Sequence, residues 1–468
     1  MATKATPRNK KPVDVHVRIR PMIEGELERQ DQPLDFDIAT TRDGMHSIAF
    51  QTPKTELDDI EFVEVLGGFR IPKAKPRRDK AFHHLNSVHQ NVSNATFYQA
   101  TVQPLLAEAL AGRTGCCFAY GHTGSGKTHT ILGYGDELGM YHLAMKQLIA
   151  AIATRNLPSI DRHDHLKIQV RFNEIYNGDV YDLLNDGAKC YVREDGHGKV
   201  QIRSETSVDD ATGLVTTAFS SSHFATTEEE LLSIVRRGLA NRATGNSNVH
   251  SASSRSHALL QLELVSDRVL ELRQAVVETE AALGRCGYER DRLDMDIFVR
   301  QHDKLEGKWI KRADAVPSTP EECAQLLAYR KQYKELEKEI VVAKDAVEAA
   351  MDQGVEGLGG HLVFVDLAGS EHAGRVTDGI QKTEEEQQEC REINKSLSAL
   401  RACFRAQAMG LQSLSCYRES KLTLALRDHL RSHGGSHTIM IAAISPSSYH
   451  VTKTIHTLQY AQLVGEKV

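Results

Sequence analysis

The alternation of apolar and polar positions changes character twice along the chain. From about Val13 to Val265, short β-branched runs such as Val13-Asp14-Val15-His16-Val17 and Ile168-Gln169-Val170-Arg171-Phe172 alternate with helical-period stretches such as Tyr141 to Ile152. Strands recurring with helices between them predict an α/β domain built on a central sheet. From about residue 266 the chain turns charged and poor in glycine. Here Leu326, Tyr329, Tyr333, Leu336, Ile340, Ala343 and Val347 follow one another at spacings of 3, 4, 3, 4, 3, 4, a heptad seam. A weaker seam precedes it, through Val265, Val269, Leu272, Val276, Leu283, Cys286, Leu293 and Ile297. Between the two, Thr319 suits a helix cap, Pro320 the first helical position and Glu322 the third residue of a capping box. Two helices joined by a tight bend, packed on each other as an antiparallel hairpin, are therefore predicted over 266–357. After Gly357-Leu358-Gly359-Gly360 the strand-like His361-Leu362-Val363-Phe364-Val365 begins, and the α/β pattern returns over 358–468. The hairpin thus interrupts one domain, 13–265 with 358–468, behind a polar tail of residues 1–12.

Composition narrows the function classes. The 468 residues are enough for two to four domains, and 57 basic against 63 acidic side chains give a net charge of −6. There is neither a net basic domain nor a nucleic-acid reading motif, so no nucleic-acid partner is expected. No apolar run reaches the roughly 18 residues of a membrane span, and Met1 to Pro12 lack a signal-peptide core, so neither membrane insertion nor secretion is expected. The eight cysteines are dispersed without a CxxC pair and read as reduced thiols of a cytosolic protein.

The candidate chemistry centres on phosphate. Gly121-His122-Thr123-Gly124-Ser125-Gly126-Lys127-Thr128 satisfies the phosphate-binding loop pattern, between the apolar run Cys116 to Tyr120 and a helical start at Lys127 to Leu132. Its glycines let backbone N–H groups wrap phosphates, Lys127 sets a cation against the outer phosphates, and the Thr128 hydroxyl suits magnesium. Asp366-Leu367-Ala368-Gly369-Ser370-Glu371 follows a hydrophobic strand, which puts Asp366 beside the magnesium and lets Gly369 offer its N–H to a γ-phosphate. Ser253-Ser254-Arg255-Ser256-His257 adds hydroxyls and a guanidinium just before another strand.

Taken together these stretches resemble the kinesin motor domain. Val17-Arg18-Ile19-Arg20-Pro21, Phe118 to Thr130, Ser253 to His257, Asp366 to Glu371, Glu392-Ile393-Asn394-Lys395-Ser396-Leu397, Tyr417 to Thr423 and Ile444-Ser445-Pro446 all stand in kinesin order. The resemblance covers Val13 to Val265 and Glu356 to Val468. It implies an α/β P-loop NTPase of the kinesin type, a central sheet flanked by helices, with the α-helical hairpin inserted. It further implies ATP or ADP with Mg2+, and microtubules as partner, in the cytoplasm on the cytoskeleton, at a spindle or an axoneme. Carried over residue by residue, the adenine falls against Arg18, Arg20, Pro21 and His129. Ser254 joins Thr128 at the magnesium with Asp366 reaching it through water, and Ser253 holds the attacking water. Arg255 and Glu371 form an ion pair closing the two switch loops, Glu371 also taking the water proton. Lys395, Arg401, Arg405, Arg418, Lys421 and Arg427 form the basic cluster expected to face acidic tubulin.

Within the family the chain resembles the internal-motor subfamily that depolymerises microtubules. The stretches concerned are Glu174-Ile175-Tyr176-Asn177-Gly178, Asp182-Leu183-Leu184-Asn185, Arg242-Ala243-Thr244-Gly245, Arg391 to Asn394, Arg418 to Lys421 and Leu426-Arg427-Asp428, with the long segment Gln51 to Lys80. The subfamily signatures are only approximated, by Glu56-Leu57-Asp58 and Arg401-Ala402-Cys403. Other departures from the kinesin pattern are His250 before the switch serines, His122 in the phosphate loop, Leu424 on the helix expected to face tubulin, and, in the loop after Glu371, the acidic run Glu384-Glu385-Glu386 where a positive surface toward tubulin is expected. The alternative reading is a microtubule-binding scaffold with slow turnover. A GTPase is disfavoured because Asn394-Lys395-Ser396-Leu397 lacks the aspartate of a guanine reader. The final helix, about Lys453 to Val464, is not followed by a dimerising coiled coil, so a monomeric motor is expected.

Overall fold

The computed structural model describes all residues except 1–12, 53–59, 66–68, 75–78, 195–197, 206, 209–214, 217–219, 245–253, 306–307, 371–375, 378–379, 382, 412–413, 431–435 and 467–468. In chain order its central sheet consists of β1 (Val13–Ile19), β2 (Ser87–Gln90), β3 (Thr114–Tyr120), β4 (Lys167–Tyr176), β5 (Asp179–Asp182), β6 (Ala188–Glu194), β7 (Val200–Ser204), β8 (His257–Val265), β9 (His361–Asp366) and β10 (His437–Ile444). They lie side by side as β7-β6-β5-β4-β8-β9-β3-β10-β1-β2, with His223–Ala225 added beside β4.

Pairing direction decides where the chemistry lands. β9, β3, β10, β1 and β2 run parallel to one another, whereas β8 runs antiparallel to β9. The ends of β1, β3, β9 and β10 therefore deliver Arg20, Gly121, Asp366 and Ser445 to one edge of the sheet. β8 starts from that edge, so Ser254 to His257 arrive there too. Ligands of parallel α/β sheets bind at this carboxyl edge.

The strands buried on both faces are nearly continuous apolar runs, as their position requires. β3 and β9 are buried almost throughout. Two helical layers cover the sheet. Of the helices that matter below, α1 (Lys127–Ile131), α2 (Met140–Arg155) and α3 (Glu228–Thr244) lie on one side. Next in the chain come the two long helices, α4 (Asp267–Gln301) and α5 (Pro320–Gln353). α6 (Glu384–Ala408), α7 (Lys421–Leu430) and α8 (Val451–Gly465) lie on the other face.

α4 and α5 form the expected antiparallel pair. At 1.5 Å per residue α4 is about 52 Å long, and the predicted seams are the inward sides: Cys286 and Ile297 are buried against α5, as is Ile340 against α4. The Cys286 thiol meets the Tyr329 carbonyl oxygen at 3.4 Å, and Gly287 lies where a Cβ would come within 3.2 Å of the Tyr333 ring. Thr319 and Glu322 make the capping box at the start of α5. The connection differs from the tight bend expected, because His302–Leu305 and Lys308–Lys311 pair as a two-stranded ribbon at the tip. The root is fastened by ion pairs from Lys167 to Asp267 and from Arg268 to Asp161 and Asp164.

The 51–80 segment contains a further antiparallel ribbon, Ile60–Val65 with Phe69–Ala74. Its Glu56-Leu57-Asp58 lies outside the described residues. The run Glu384-Glu385-Glu386 is not a loop, as the sequence reading had it. It is the first turn of α6, where Thr383 and Glu386 cap each other and acidic side chains meet the positive end of the helix. Among the described residues no helix is long and apolar enough to cross a membrane.

Candidate nucleotide site

The phosphate loop leaves β3 at Gly121 and enters α1 at Lys127. Gly126 takes a left-handed backbone (φ +97°), which glycine adopts without steric cost. The Lys127 side chain is buried, its ammonium donating to the carbonyl oxygens of Gly121 and His122 at 3.0 Å each. Thr128 Oγ1 donates to Asp366 Oδ2 at 3.2 Å, joining α1 to the end of β9. The Gly369 N–H donates to the Ser254 carbonyl oxygen at 3.0 Å, and the Ser370 N–H to the Gly121 carbonyl oxygen at 3.3 Å. Three chain segments far apart in sequence are thus tied to one another around Lys127, Ser254 and Gly369.

Asp366 is 1% exposed, and its Oδ1 has no hydrogen-bond partner among the described residues. The Ser125 hydroxyl of the phosphate loop is likewise buried and without a hydrogen-bond partner among the described residues. A carboxylate oxygen in want of donors, next to the Thr128 hydroxyl, fits the water shell of a magnesium ion held mainly by phosphates.

Two residues outside the predicted site hold this region. Arg242, at the end of α3, is buried and forks over three groups: Nη1 to Asp366 Oδ2 at 3.0 Å, Nη2 to the Ser256 carbonyl oxygen at 3.0 Å and Nε to Ser256 Oγ at 3.3 Å. Glu174 of β4 completes the pair at 3.7 Å. Burial raises the Glu174 pKa, and a hydrogen bond with Ser256 and the Arg242 charge restrain the rise. His257 is the second. Burial, with Arg242 and Lys127 nearby, lowers its pKa to about 3, so the ring is neutral. Its Nδ1 accepts from the Ala368 N–H at 3.0 Å, which leaves the proton on Nε2 to meet Ser396 Oγ at 2.8 Å. Ser396 in turn donates to the Ile393 carbonyl oxygen at 2.8 Å inside α6. One imidazole therefore links the loop after β9 to α6. The signals were present in Arg242-Ala243-Thr244-Gly245 and in the last residue of Ser253 to His257, but only the fold shows what they touch.

The predicted base-stacking residues divide. Arg20 Nε donates to the Gly124 carbonyl oxygen at 2.7 Å, and its fork grips Glu26 at 2.7 and 2.5 Å. Burial raises the Glu26 pKa, but Arg20, the Ile23 N–H and the Ser445 hydroxyl together outweigh it and bring it to about 2. Pro21 is exposed, and half-buried His129 lies 3.1 Å from Glu137, so both leave a surface for a base. Arg18 departs from the expectation of a stacked guanidinium. It is buried, bonded to Asn94, to Thr130 at 3.0 Å and to the Val92 carbonyl oxygen at 2.9 Å, and lies 5.2 Å from the Phe97 ring centroid. Inside that apolar layer it braces the wall.

Of the expected switch pair only Arg255 is described. Ser253, Glu371 and His250 lie outside the described residues. Arg255 donates to Glu389 at 2.6 Å and to Glu386 at 3.1 Å, both on the first turns of α6. Tyr176 OH also donates to Glu389. The acidic run the sequence placed against tubulin is in part neutralised from within, because Glu386 faces Arg255.

Of the basic cluster, Arg427 is a correction: it is 2% exposed and paired with Glu194 at 2.8 Å and Asp428 at 3.0 Å, because α7 turns that side toward β6. Arg418 is exposed but forked on Glu194 at 3.0 and 2.8 Å. Lys395, Arg401 and Arg405 on α6 and Lys421 on α7 are exposed. Lys395, Arg418 and Lys421 border a cleft of about 190 Å3 that also reaches Arg255 and His257.

His122 is 1% exposed and packs against His450, the ring centroids 4.8 Å apart and the planes tilted by 39°. Neither ring nitrogen has a hydrogen-bond partner among the described residues. Burial, then the charges of His450 and Lys127, lower its pKa to about 2. In the unfolded chain it takes up a proton below about pH 6.5, so it withdraws stability as pH falls from there toward 2, by up to about 1.4 kcal/mol per pH unit. His122→Gln is expected to shrink the fall in melting temperature between pH 7 and pH 5. An acid sensitivity equal to that of the parent would contradict the buried neutral ring.

Comparison with known proteins agrees with this geometry. A profile of the kinesin motor domain matches residues 18–283 and 339–466. The kinesin-like protein KIF24 of Homo sapiens is 29% identical over 80% of this chain and 19% of its own length. The kinesin-like protein KIN-13A of Oryza sativa subsp. japonica is 28% identical over 97% of this chain and 41% of its own. The chain thus spans less than half the length of these relatives. Among solved structures, the motor domain of the Kar3-like kinesin from Ashbya gossypii superimposes with a TM-score of 0.54 at 20% identity, over 97% of this chain and 99% of that one. A KIF14 dimer with AMP-PNP in complex with a microtubule gives a TM-score of 0.56 at 22% identity, over 97% and 93%. The profile covers most of the sequence in the two stretches that carry the phosphate loop and both switch segments, and the chain belongs to the kinesin motor family.

Proposed function

We propose that the protein is a microtubule-stimulated ATPase that converts loss of the γ-phosphate into force on tubulin, in the cytoplasm on the microtubule cytoskeleton. The observation that carries this reading is the closed set of bonds joining Gly121, Ser254 and Gly369 with Thr128 and Asp366. A γ-phosphate at this point competes for the Gly369 N–H that Ser254 now accepts, and for the Lys127 ammonium now on two carbonyl oxygens. Both exchanges trade a neutral acceptor for an anionic one: the Gly369 bond becomes charge-assisted, about twice as strong as a neutral one, and the Lys127 contact becomes an ion pair. Hydrolysis reverses them, so the loops sense the phosphate directly.

Thr128 and Ser254 would hold magnesium by their hydroxyls, with Asp366 reaching it through water. The ion, when bound, neutralises charge on the β- and γ-phosphates. Ser253 would position the attacking water and Glu371 accept its proton. The signal then runs from Ala368 through His257 to Ser396 on α6, whose exposed Lys395, Arg401 and Arg405 meet acidic tubulin. Similarity to KIN-13A, the ribbon at 60–74 and the subfamily stretches favour bending of tubulin ends over walking, at a spindle or an axoneme.

ATP turnover measured with and without stabilised microtubules tests the reading. Stimulation of at least about tenfold is expected, with microtubules shortening from their ends when watched under ATP. Unstimulated turnover would instead identify a static microtubule-binding scaffold. Gliding would retain the motor and reject the depolymerase.

A further inference from the structure

The distal half of the α4–α5 arm carries an apolar face that neither helix covers. On α4, Tyr288, Met295 and Val299 follow at i, i+7 and i+11, one side of a helix, and they are 52%, 58% and 47% exposed. The seam turned toward α5 is a different one, through Cys286 and Ile297. Phe298, beside the exposed stripe, meets the Trp309 ring edge-on at 5.2 Å and stacks on His302 at 4.1 Å, which carries the face onto the tip ribbon. Large aromatic side chains carry about 150–250 Å2 each. On that scale the part-exposed rings of Tyr288, Phe298 and Trp309, with Met295 and Val299, leave roughly 350–500 Å2 along one side. This is within the ~300–600 Å2 of a monomer's largest patch, and close to the apolar share, somewhat over half, of the ~800 Å2 each partner gives a stable interface. The stretch 284–338 lies outside the kinesin profile match, so the face lies outside the profile-matched motor.

Charge along the arm is graded. The tip, 302–312, has Lys304, Lys308, Lys311 and Arg312 against Asp303 and Glu306, whereas 271–282 has Glu271, Glu278 and Glu280 against Arg273. The ribbon itself is positive by two and that stretch of α4 negative by two, while Asp314, Glu321 and Glu322 lie behind the ribbon at the start of α5. Parallel pairing of two arms would put like charges together, and antiparallel pairing puts each tip against the other's acidic stretch.

We propose that two copies of this chain pair through their distal arms, antiparallel about a two-fold axis near Met295. Lengths agree with the charges. Met295 lies about 42 Å along α4 from Asp267. The rest of the helix and the four-residue ribbon extend about 22 Å beyond it. Each tip then ends about 20 Å short of the other motor's root, at the level of Glu278 and Glu280, without collision. A self-complementary face of this kind is what a two-fold dimer needs. The pairing does not depend on the ATPase reading.

Sedimentation of the whole chain over a range of concentrations tests it, with the fluorescence of Trp309, the sole tryptophan, as a local reporter. A monomer–dimer equilibrium and a blue shift of emission on association are expected. Met295→Glu should weaken association by about tenfold or more, with helix content and melting temperature unchanged. Lys304→Glu with Lys308→Glu should weaken it too, and adding Glu278→Lys with Glu280→Lys should restore it. Glu280 also pairs with Lys344 within the arm, but that exposed contact contributes little. A chain that stays monomeric at tens of micromolar, a dimer indifferent to Met295→Glu, or charge reversals without rescue would overturn the proposal. So would a monomer whose Trp309 emission shifts only with anionic vesicles or tubulin.

Discussion

Arg242→Ala is expected to cost the fold about 3–5 kcal/mol, because it leaves two buried carboxylates, Asp366 and Glu174, without their cation. The guanidinium also closes the Ser256 carbonyl oxygen and hydroxyl, so the loop before β8 loses its anchor together with the end of β9. With Arg242 gone, one of the groups that restrain the Glu174 pKa is lost, and its carboxyl titrates higher still. Lysine is not a substitute, since a single ammonium cannot reach three groups in a fork. Denaturant unfolding of Arg242→Ala and Arg242→Lys measures this. A loss below about 1 kcal/mol would mean that the carboxylates find other partners.

Lys127→Ala should behave in the opposite way. In the absence of phosphate its ammonium is held by two neutral carbonyl oxygens in a buried place, and removing it also removes the cost of burying that charge. Stability should change by no more than about 1 kcal/mol, while ATP turnover falls by about 10²–10³-fold, the usual loss when one preorganised donor is removed from developing charge. Steady-state turnover beside thermal unfolding separates the two effects. Undiminished turnover would show that Lys127 never leaves the carbonyls of Gly121 and His122.

The contrast between these residues shows what the sequence could reveal. The phosphate loop was legible because its spacing is itself the chemistry: each glycine, lysine and threonine has one geometric duty within eight residues. The α4 and α5 seams were legible because helical periodicity is local, and Thr319 to Glu322 formed the cap as read. Arg242, Glu174 and His257 were not assigned, because their partners come from strands and helices distant in sequence. The same non-locality misled the reading of Arg427, a surface cation by composition that α7 turns against Glu194. It also concealed that Arg255 meets Glu386 and Glu389. The tip ribbon was missed because Lys304, Lys308 and Lys311 break the apolar alternation by which strands are recognised, and only pairing across the turn sets it.

Coupling of the three loops to a terminal phosphate is most directly tested by a structure of the protein with Mg2+ and a non-hydrolysable ATP analogue. The Gly369 N–H is expected to leave the Ser254 carbonyl oxygen for a γ-phosphate oxygen, and the Lys127 ammonium to leave Gly121 and His122 for the same group. Bound nucleotide with both donors still on their present carbonyl oxygens would contradict that coupling.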